Sequence, residues 1–374
     1  TPAGGAAQEI DSQSQKFVRG CIAALSLRSG LIKNIKDDKE IARIQNDAIR
    51  GYSLYEMARR SLQIAGISTE RMDRMELVGR AFTTSDFPLI LADASNKFML
   101  KGFEEAPETW MIWAQTGNLS DFKIGRMVNL SSFDDLELVS ENGEFKYGSF
   151  TEQGETIQLA TYGKLFSISR QAIINDDLRA FTVIPSRMGR AASRLVGDLA
   201  YGVITSNPTM GDGIALFNAS HNNLNEGAAG VITAARIGSM RNAMALQTDA
   251  SGSATGLNIR PSFFLTPVAL TDTANVLMNS EWNPAESITG IPNPVRNLMS
   301  VVTDPRLDAD STTAYYMAAS QQFDTIEVAF LDGVQAPVLE QQMGWSIDGT
   351  EFKVRIDVGT APTEFRTWQK NDGA

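Results

Sequence analysis

Any chemistry in this chain would have to be built around one histidine, His221, in the run Ala219-Ser220-His221-Asn222-Asn223. Ser220 beside it could act as a nucleophile with the ring as base, a serine hydrolase arrangement oriented by some acidic residue. Neighbours in a chain seldom face each other productively, and triads are assembled from distant positions. His221 therefore reads as a loop histidine near a turn. Cys21, the one cysteine, lies in an apolar helical stripe and reads as a small core residue, not a nucleophile. One histidine and one cysteine cannot make the usual zinc or haem site. Asp134-Asp135 and Asp308-Ala309-Asp310 are the nearest candidates for a calcium or magnesium site, but neither has EF-hand spacing, and solvated loops explain them. Gly211-Asp212-Gly213 lacks both the Lys-Ser/Thr of a P-loop and the third glycine of a dinucleotide fingerprint. The five tryptophans are scattered and unaccompanied by basic clusters, so they offer no stacking platform for single-stranded nucleic acid. The residues supply no catalytic, cofactor or metal site, and an enzyme is not expected.

The elements around these residues are more informative. At 374 residues with 43% apolar content the chain can bury a sizeable core in two or three domains. Its net charge of −11 repels phosphate backbones and argues against a nucleic-acid-binding face. It does not argue against a container whose wall should not stick to packaged DNA. No disulfide can form within the chain, which fits a reducing cytoplasm. Phe17 to Leu27 is interrupted by Arg19 and falls well short of the roughly 20 residues that span a bilayer, so no membrane partner is expected. The chain opens Thr1-Pro2-Ala3 without methionine, which fits either a trimmed tag or cleavage of a longer precursor.

Residues 1–16 are small and polar and read as a flexible or partner-dependent arm. Val18, Cys21, Ile22 and Leu25 then recur at helical spacing. Ser53 is a good N-cap with Glu56 in capping-box position, and Gly66 stops that helix. The first 80 residues thus read as an arm of short helices with little core of their own. From Asp121 to Ser169 apolar residues alternate in strand fashion about Asn142-Gly143, the strongest signal for a two-residue hairpin turn. Arms of about 20 residues would reach roughly 65 Å, and an isolated two-stranded ribbon is marginal in water. A neighbouring copy is its natural support. Met188, Ala192, Leu195, Val196, Leu199 and Val203 predict a long helix over 181–206, with Pro185 in its first turn. Beyond it, 234–246 and 268–277 read as helices, and 262–265, 298–302, 314–318, 325–330 and 353–358 as strands. The mixture lacks βαβ regularity, so the class is α+β.

Specific wording recurs at Ser53–Arg59, Val78–Thr83, Thr84–Pro88, Gly102–Ala106, Trp110, Ala160–Gly163, Ile168–Gln171, Ile174–Asp177, Gly213–Phe217 and Ser220–Leu224. Together these motifs, which span most of the chain, resemble the coat half of phage prohead-protease/major-capsid fusion proteins, related to Mu-like major head subunits and to the Hong Kong 97-type coat fold. The resemblance implies a structural subunit, released from its protease by cleavage, that assembles with copies of itself as hexamers and pentamers. It implies an icosahedral head around double-stranded DNA, built in the host cytoplasm, with a portal and sometimes decoration proteins as further partners. Under it the N-terminal arm is 1–80, the extended loop 121–168 and the axial domain 208–325. The peripheral domain is 81–120, 169–207 and 326–374, with the 181–206 helix as its spine. Candidate subunit contacts are Glu141, Asn142, Gly143, Lys146 and Tyr147 at the hairpin tip, with Leu54 and Tyr55. Some members of the wider fold cross-link through a lysine in that loop; no motif here supports it, and Lys146 reads as a solvated tip residue. The alternatives are an encapsulin-type compartment shell, usually shorter and without so long a helical arm, and the hydrolase using Ser220 and His221.

Overall fold

The computed structural model describes residues 3–30, 48–127, 154–226, 231–248, 256–284, 290–344 and 349–373. In chain order the elements begin α1 (Ala3–Arg28), α2 (Leu54–Ile64), α3 (Arg74–Thr84), α4 (Phe87–Glu104) and α5 (Trp110–Trp113). Strands β1 (Gln115–Leu119), β2 (Gly125–Met127), β3 (Glu155–Ile157) and β4 (Ala160–Ser169) follow. Next come α6 (Arg170–Ile174), α7 (Leu178–Ser206), β5 (Leu224–Asn225), α8 (Ala234–Ala245), β6 (Pro261–Thr266) and α9 (Thr271–Asn279). The chain closes with β7 (Ser300–Thr303), α10 (Pro305–Asp310), β8 (Tyr315–Ala319), β9 (Ile326–Leu331), β10 (Val338–Met343), β11 (Gly349–Pro362) and β12 (Trp368–Asn371). The class is α+β.

The chain divides into two compact units. One comprises Thr1–Pro107, Thr161–Arg194 and Gln335–Ile356; the other comprises Glu108–Ala160, Leu195–Val334 and Asp357–Ala374.

The first unit is helix-rich. Helix α2 starts where the capping box requires: Ser53 Oγ accepts the Glu56 N–H, and Glu56 Oε2 accepts the Ser53 N–H at 2.7 Å. Its apolar face, Leu54, Met57, Ala58 and Leu62, is fully buried with Phe17, Cys21 and Leu25 of α1, Ile90 and Leu91 of α4, and Phe352 of β11. Burial pushes the Cys21 thiol up to about 12, so it stays a protonated core group. Helices α4 and α7 touch backbone to backbone. A Cβ on Gly102 would lie 2.1 Å from the Ser186 carbonyl oxygen, and one on Gly189 would lie 2.0 Å from that of Met99; only glycine allows so close an approach.

Three expectations are corrected here. The described helices of the first 80 residues, read as short and with little core of their own, include a long one running from Ala3, and α1 to α3 share one core with α4 and Phe352. Each helix buries one stripe too small to be stable alone, but the stripes face one another. The long helix starts at Leu178, so Pro185 lies inside it, beyond the first turn, where it removes the bond to the Phe181 carbonyl. Nor do the described residues up to 168 all belong to the expected hairpin: β4 pairs with β11, and β11 also pairs antiparallel with β10 (Val338↔Arg355, Met343↔Thr350). Phe166 of β4 stacks on Phe352 at 4.9 Å between ring centroids, an apolar contact that no local pattern signals.

The second unit contains a five-stranded sheet in the order β5-β12-β8-β6-β7. Met240 and Met244 of α8 and Leu277 of α9 form a core with Phe264, Tyr315 and Met317 of that sheet. The closing strand departs from the expected grouping of 326–374, because Trp368–Asn371 pair antiparallel with Ala318–Tyr315. Fully buried Trp368 packs edge-on to Trp113 at 5.5 Å and to Phe217 at 6.3 Å, which ties the tail to the sheet built by 208–325. Also in this unit, β1 runs parallel to β9, and β9 is antiparallel to Val358–Pro362 of β11.

Candidate functional site

In the second unit β2 and β3, which flank the expected hairpin, pair antiparallel with Gly125↔Ile157 and Met127↔Glu155 in register. Ile157 and Leu159 are buried against Ala329 and Ala361, with Leu119 and Leu331 at the edge of the cluster. The base is thus held by apolar side chains on one side. Its other anchor is Glu155, 9% exposed, whose two carboxylate oxygens accept the single N–H of Gly211 at 2.9 and 3.0 Å. Burial, opposed by that hydrogen bond and then reinforced by the charges of Asp212 and Glu364, raises the Glu155 carboxyl above its ordinary value; His221 acts in the opposite sense.

Gly211 belongs to a tight turn in which Met210 N–H bonds Ile214 O at 2.8 Å and Asp212 Oδ1 accepts the Ile214 N–H at 2.8 Å. Its amide is committed to a carboxylate, so the Gly211-Asp212-Gly213 run is not a phosphate cradle. His221 faces the same turn. Its Nε2 lies 2.8 Å from Asp212 Oδ2, its Nδ1 lies 3.2 Å from the Leu216 carbonyl oxygen, and its ring stacks on Phe365 at 3.8 Å. Both ring nitrogens are occupied, so neither is left to take a proton from Ser220. The triad that the sequence permits is not assembled. Asn223 fastens the same segment, donating to the Leu216 and Phe365 carbonyl oxygens and accepting the Asn218 N–H. Glu364, fully buried, accepts from Arg366 Nη1 at 2.8 Å.

A second ionic cluster lies in the same unit around Arg306. Its Nη1 bonds Glu108 at 2.8 Å and Asp304 at 3.2 Å, and its Nε bonds Asp198 at 2.5 Å. Asp304 also accepts from Thr109, which pairs with the Tyr201 hydroxyl at 2.7 Å, and Trp113 Nε1 donates to that hydroxyl at 3.1 Å. Burial alone would depress the guanidinium, but its bonds to Glu108 and Asp198 outweigh burial and hold it above its ordinary value.

Among the expected subunit contacts, Glu141, Asn142, Gly143, Lys146 and Tyr147 lie outside the described residues, as do Asp134 and Asp135. Leu54 is fully buried in its own chain's core and so is removed from the candidate surface; the helix stripe that suggested contact is satisfied internally. Tyr55 is half-buried at the edge of that core, with Arg74 over its ring at 5.6 Å. Asp308 of the Asp308-Ala309-Asp310 run accepts the backbone N–H groups of Val268 and Ala269, which makes it a cap. Among the described residues no group of three or more His, Cys, Asp or Glu could hold a metal ion, and no helix is long and apolar enough to cross a membrane. Sequence reasoning missed Glu155, Glu364 and Arg306. Charged residues in polar stretches of sequence give no local sign that folding will bury them.

Residues 152–371, more than half of the chain, match the model of a family described as phage capsid protein. The chain belongs to that family. The matched span begins just before β3 and includes Glu155, Gly211, His221 and Arg306, so both ionic clusters fall largely within what the family model covers. Its members are structural proteins, which agrees with a histidine spent on fastening a turn. No curated protein matches the chain. Among solved structures, a virus-like particle from Pyrococcus furiosus is similar at 12% identity, covering 75% of this chain and 98% of that one, with a TM-score of 0.46. A chain from Mycobacterium phage Adephagia is similar at 10% identity, 71% and 91% coverage and a TM-score of 0.45. The holo-SrpI encapsulin complex from Synechococcus elongatus is similar at 9% identity, 72% and 88% coverage and a TM-score of 0.42. At these scores none of the three decides between a phage head and a compartment.

Proposed function

We propose that the chain is the major coat subunit of a tailed phage, self-assembling as hexamers and pentamers into an icosahedral head that encloses double-stranded DNA. The observation that carries this reading is the phage capsid family match over 152–371. In a Hong Kong 97-type arrangement α7 is the spine helix, and the segment that joins β2 to β3 belongs to the extended loop that reaches a neighbouring copy. Glu141, Asn142, Gly143, Lys146, Tyr147 and Tyr55 are then subunit contacts. The anchored base of β2 and β3 supports this role, because a projection that bears load between subunits needs a fixed root. Large interfaces, on the order of 2,000–5,000 Å² for obligate contacts, would let individually weak contacts close a shell. The net charge of −11 suits a wall that does not adhere to packaged DNA. Release from a protease–capsid precursor, a portal partner, decoration proteins and residence in the virion follow from the same reading.

Electron microscopy of the purified full chain tests the class: closed icosahedral particles of defined size are expected, and a uniform soluble monomer would sink it. Replacing residues 128–153 with a short Gly-Ser turn, leaving β2 and β3 in place, tests the hairpin. Loss of closed particles with retained folding is expected, and normal assembly would remove the hairpin from the mechanism. Particles found filled with protein cargo in place of DNA would favour a compartment shell.

A further inference from the structure

We propose that Glu155 is a proton-sensitive latch that sets how firmly the start of β3, paired with β2, is held to the 209–215 turn. The geometry is unusual for a carboxylate. Among the described residues one backbone N–H serves both oxygens, which leaves most of the four acceptor positions of an ionised carboxylate without a partner there at a side chain that is 9% exposed. The charged and titratable groups that act on it come from three segments, while its partner strand β2 places Met127 opposite it. The 209–215 turn presents Asp212, the 364–366 segment presents Glu364 with its partner Arg366, and the loop behind the turn presents His221. Asp212 and Glu364 carry the same sign as ionised Glu155, and their own partners, His221 and Arg366, are already committed to them.

The latch therefore holds in two states of different strength. A protonated Glu155 is neutral, is not repelled by Asp212 and Glu364, and still accepts the Gly211 N–H. An ionised Glu155 keeps that bond but carries a poorly solvated charge beside two others. Because its carboxyl is raised in the folded chain, the docked start of β3 is most stable below the ordinary carboxylate value. It loses stability as pH rises through the raised value. The apolar contacts of Ile157 and Leu159 are indifferent to pH and keep β3 from detaching outright. What changes is the fraction of time the Gly211 amide and the start of β3 are open. This rests on the second unit alone and not on shell assembly.

The test is amide hydrogen exchange on the full-length chain between about pH 5 and about pH 8, corrected for intrinsic rates, with helix α2 as an internal reference. In the wild type, protection of residues 155–159 and of Gly211 is expected to fall about threefold or more across that range, relative to α2. In Glu155→Gln, which keeps an acceptor of the same shape without the charge, protection should be independent of pH. An equal slope in Glu155→Gln, or wild-type protection that rises with pH, overturns the latch. Should Glu155→Gln fail to fold, the wild-type slope relative to α2 decides alone: its absence overturns the proposal.

Discussion

The two ionic clusters of the second unit bury similar numbers of charges and reach opposite outcomes. Around Arg306 one cation meets Glu108, Asp304 and Asp198, so each buried charge has a partner of opposite sign and the charged form is favoured. Around Glu155 the balance tips the other way: Asp212 and Glu364 are bonded to His221 and Arg366, and among the described residues the third carboxylate has one backbone N–H. Burial is a cost in both places; what differs is whether opposite charge and hydrogen bonds meet it. The second cluster sits at the start of β3, beside the pairing of β2 with β3.

Breaking the first cluster should have the largest effect. Arg306→Met leaves Glu108 and Asp304, both nearly buried, without their cation and should lower unfolding stability by about 3–5 kcal/mol in urea titrations. Asp198 is 62% exposed, so Asp198→Asn should do far less, within about 1 kcal/mol. The apolar core of the first unit gives a yardstick free of charge: Leu54→Ala should cost about 2–5 kcal/mol in the same titration. A near-zero cost would return Leu54 to the list of subunit contacts. His221→Ala exposes the milder side of the second cluster. It strips Asp212 and the Leu216 carbonyl of a partner, for a loss of about 1–3 kcal/mol, and assays with esters and peptides should show no hydrolysis before or after. Smallest of all, Glu155→Gln should change stability at neutral pH by no more than about 1 kcal/mol. Its sign sharpens the comparison: any advantage over wild type should grow as pH rises above the ordinary carboxylate range and vanish below it. An advantage that grew toward low pH would mean that Glu155 is a well-compensated charge like Arg306.

Much of the local structure was legible. The Ser53–Glu56 capping box, the apolar stripe of α7, the helix at 234–246 and the strands near 262, 314 and 326 depend on residues within a few positions of one another. The sequence patterns placed them within a few residues of where they lie. The cluster at the hairpin base was not legible. Glu155 meets Gly211 across 56 positions, and Arg306 meets Glu108 across 198. A carboxylate in a polar stretch looks the same in sequence whether folding exposes or buries it. The Ser220-His221 pair shows the converse, since adjacency suggested chemistry that the ring's commitment to Asp212 and Leu216 forecloses.

By itself the sequence determined the class, the caps, the long helix, the acidic balance and a resemblance that runs through ten motifs, because each is written in short-range spacing or in composition. Only tertiary structure decided that α1 to α3 share a core with α4, that β4 pairs with β11, that Trp368 ties the tail to β8, and which buried charges find partners. Those outcomes turn on which distant surfaces meet. Apolar burial and charge compensation are properties of neighbours in space, and neighbours in space are fixed only when the chain closes on itself.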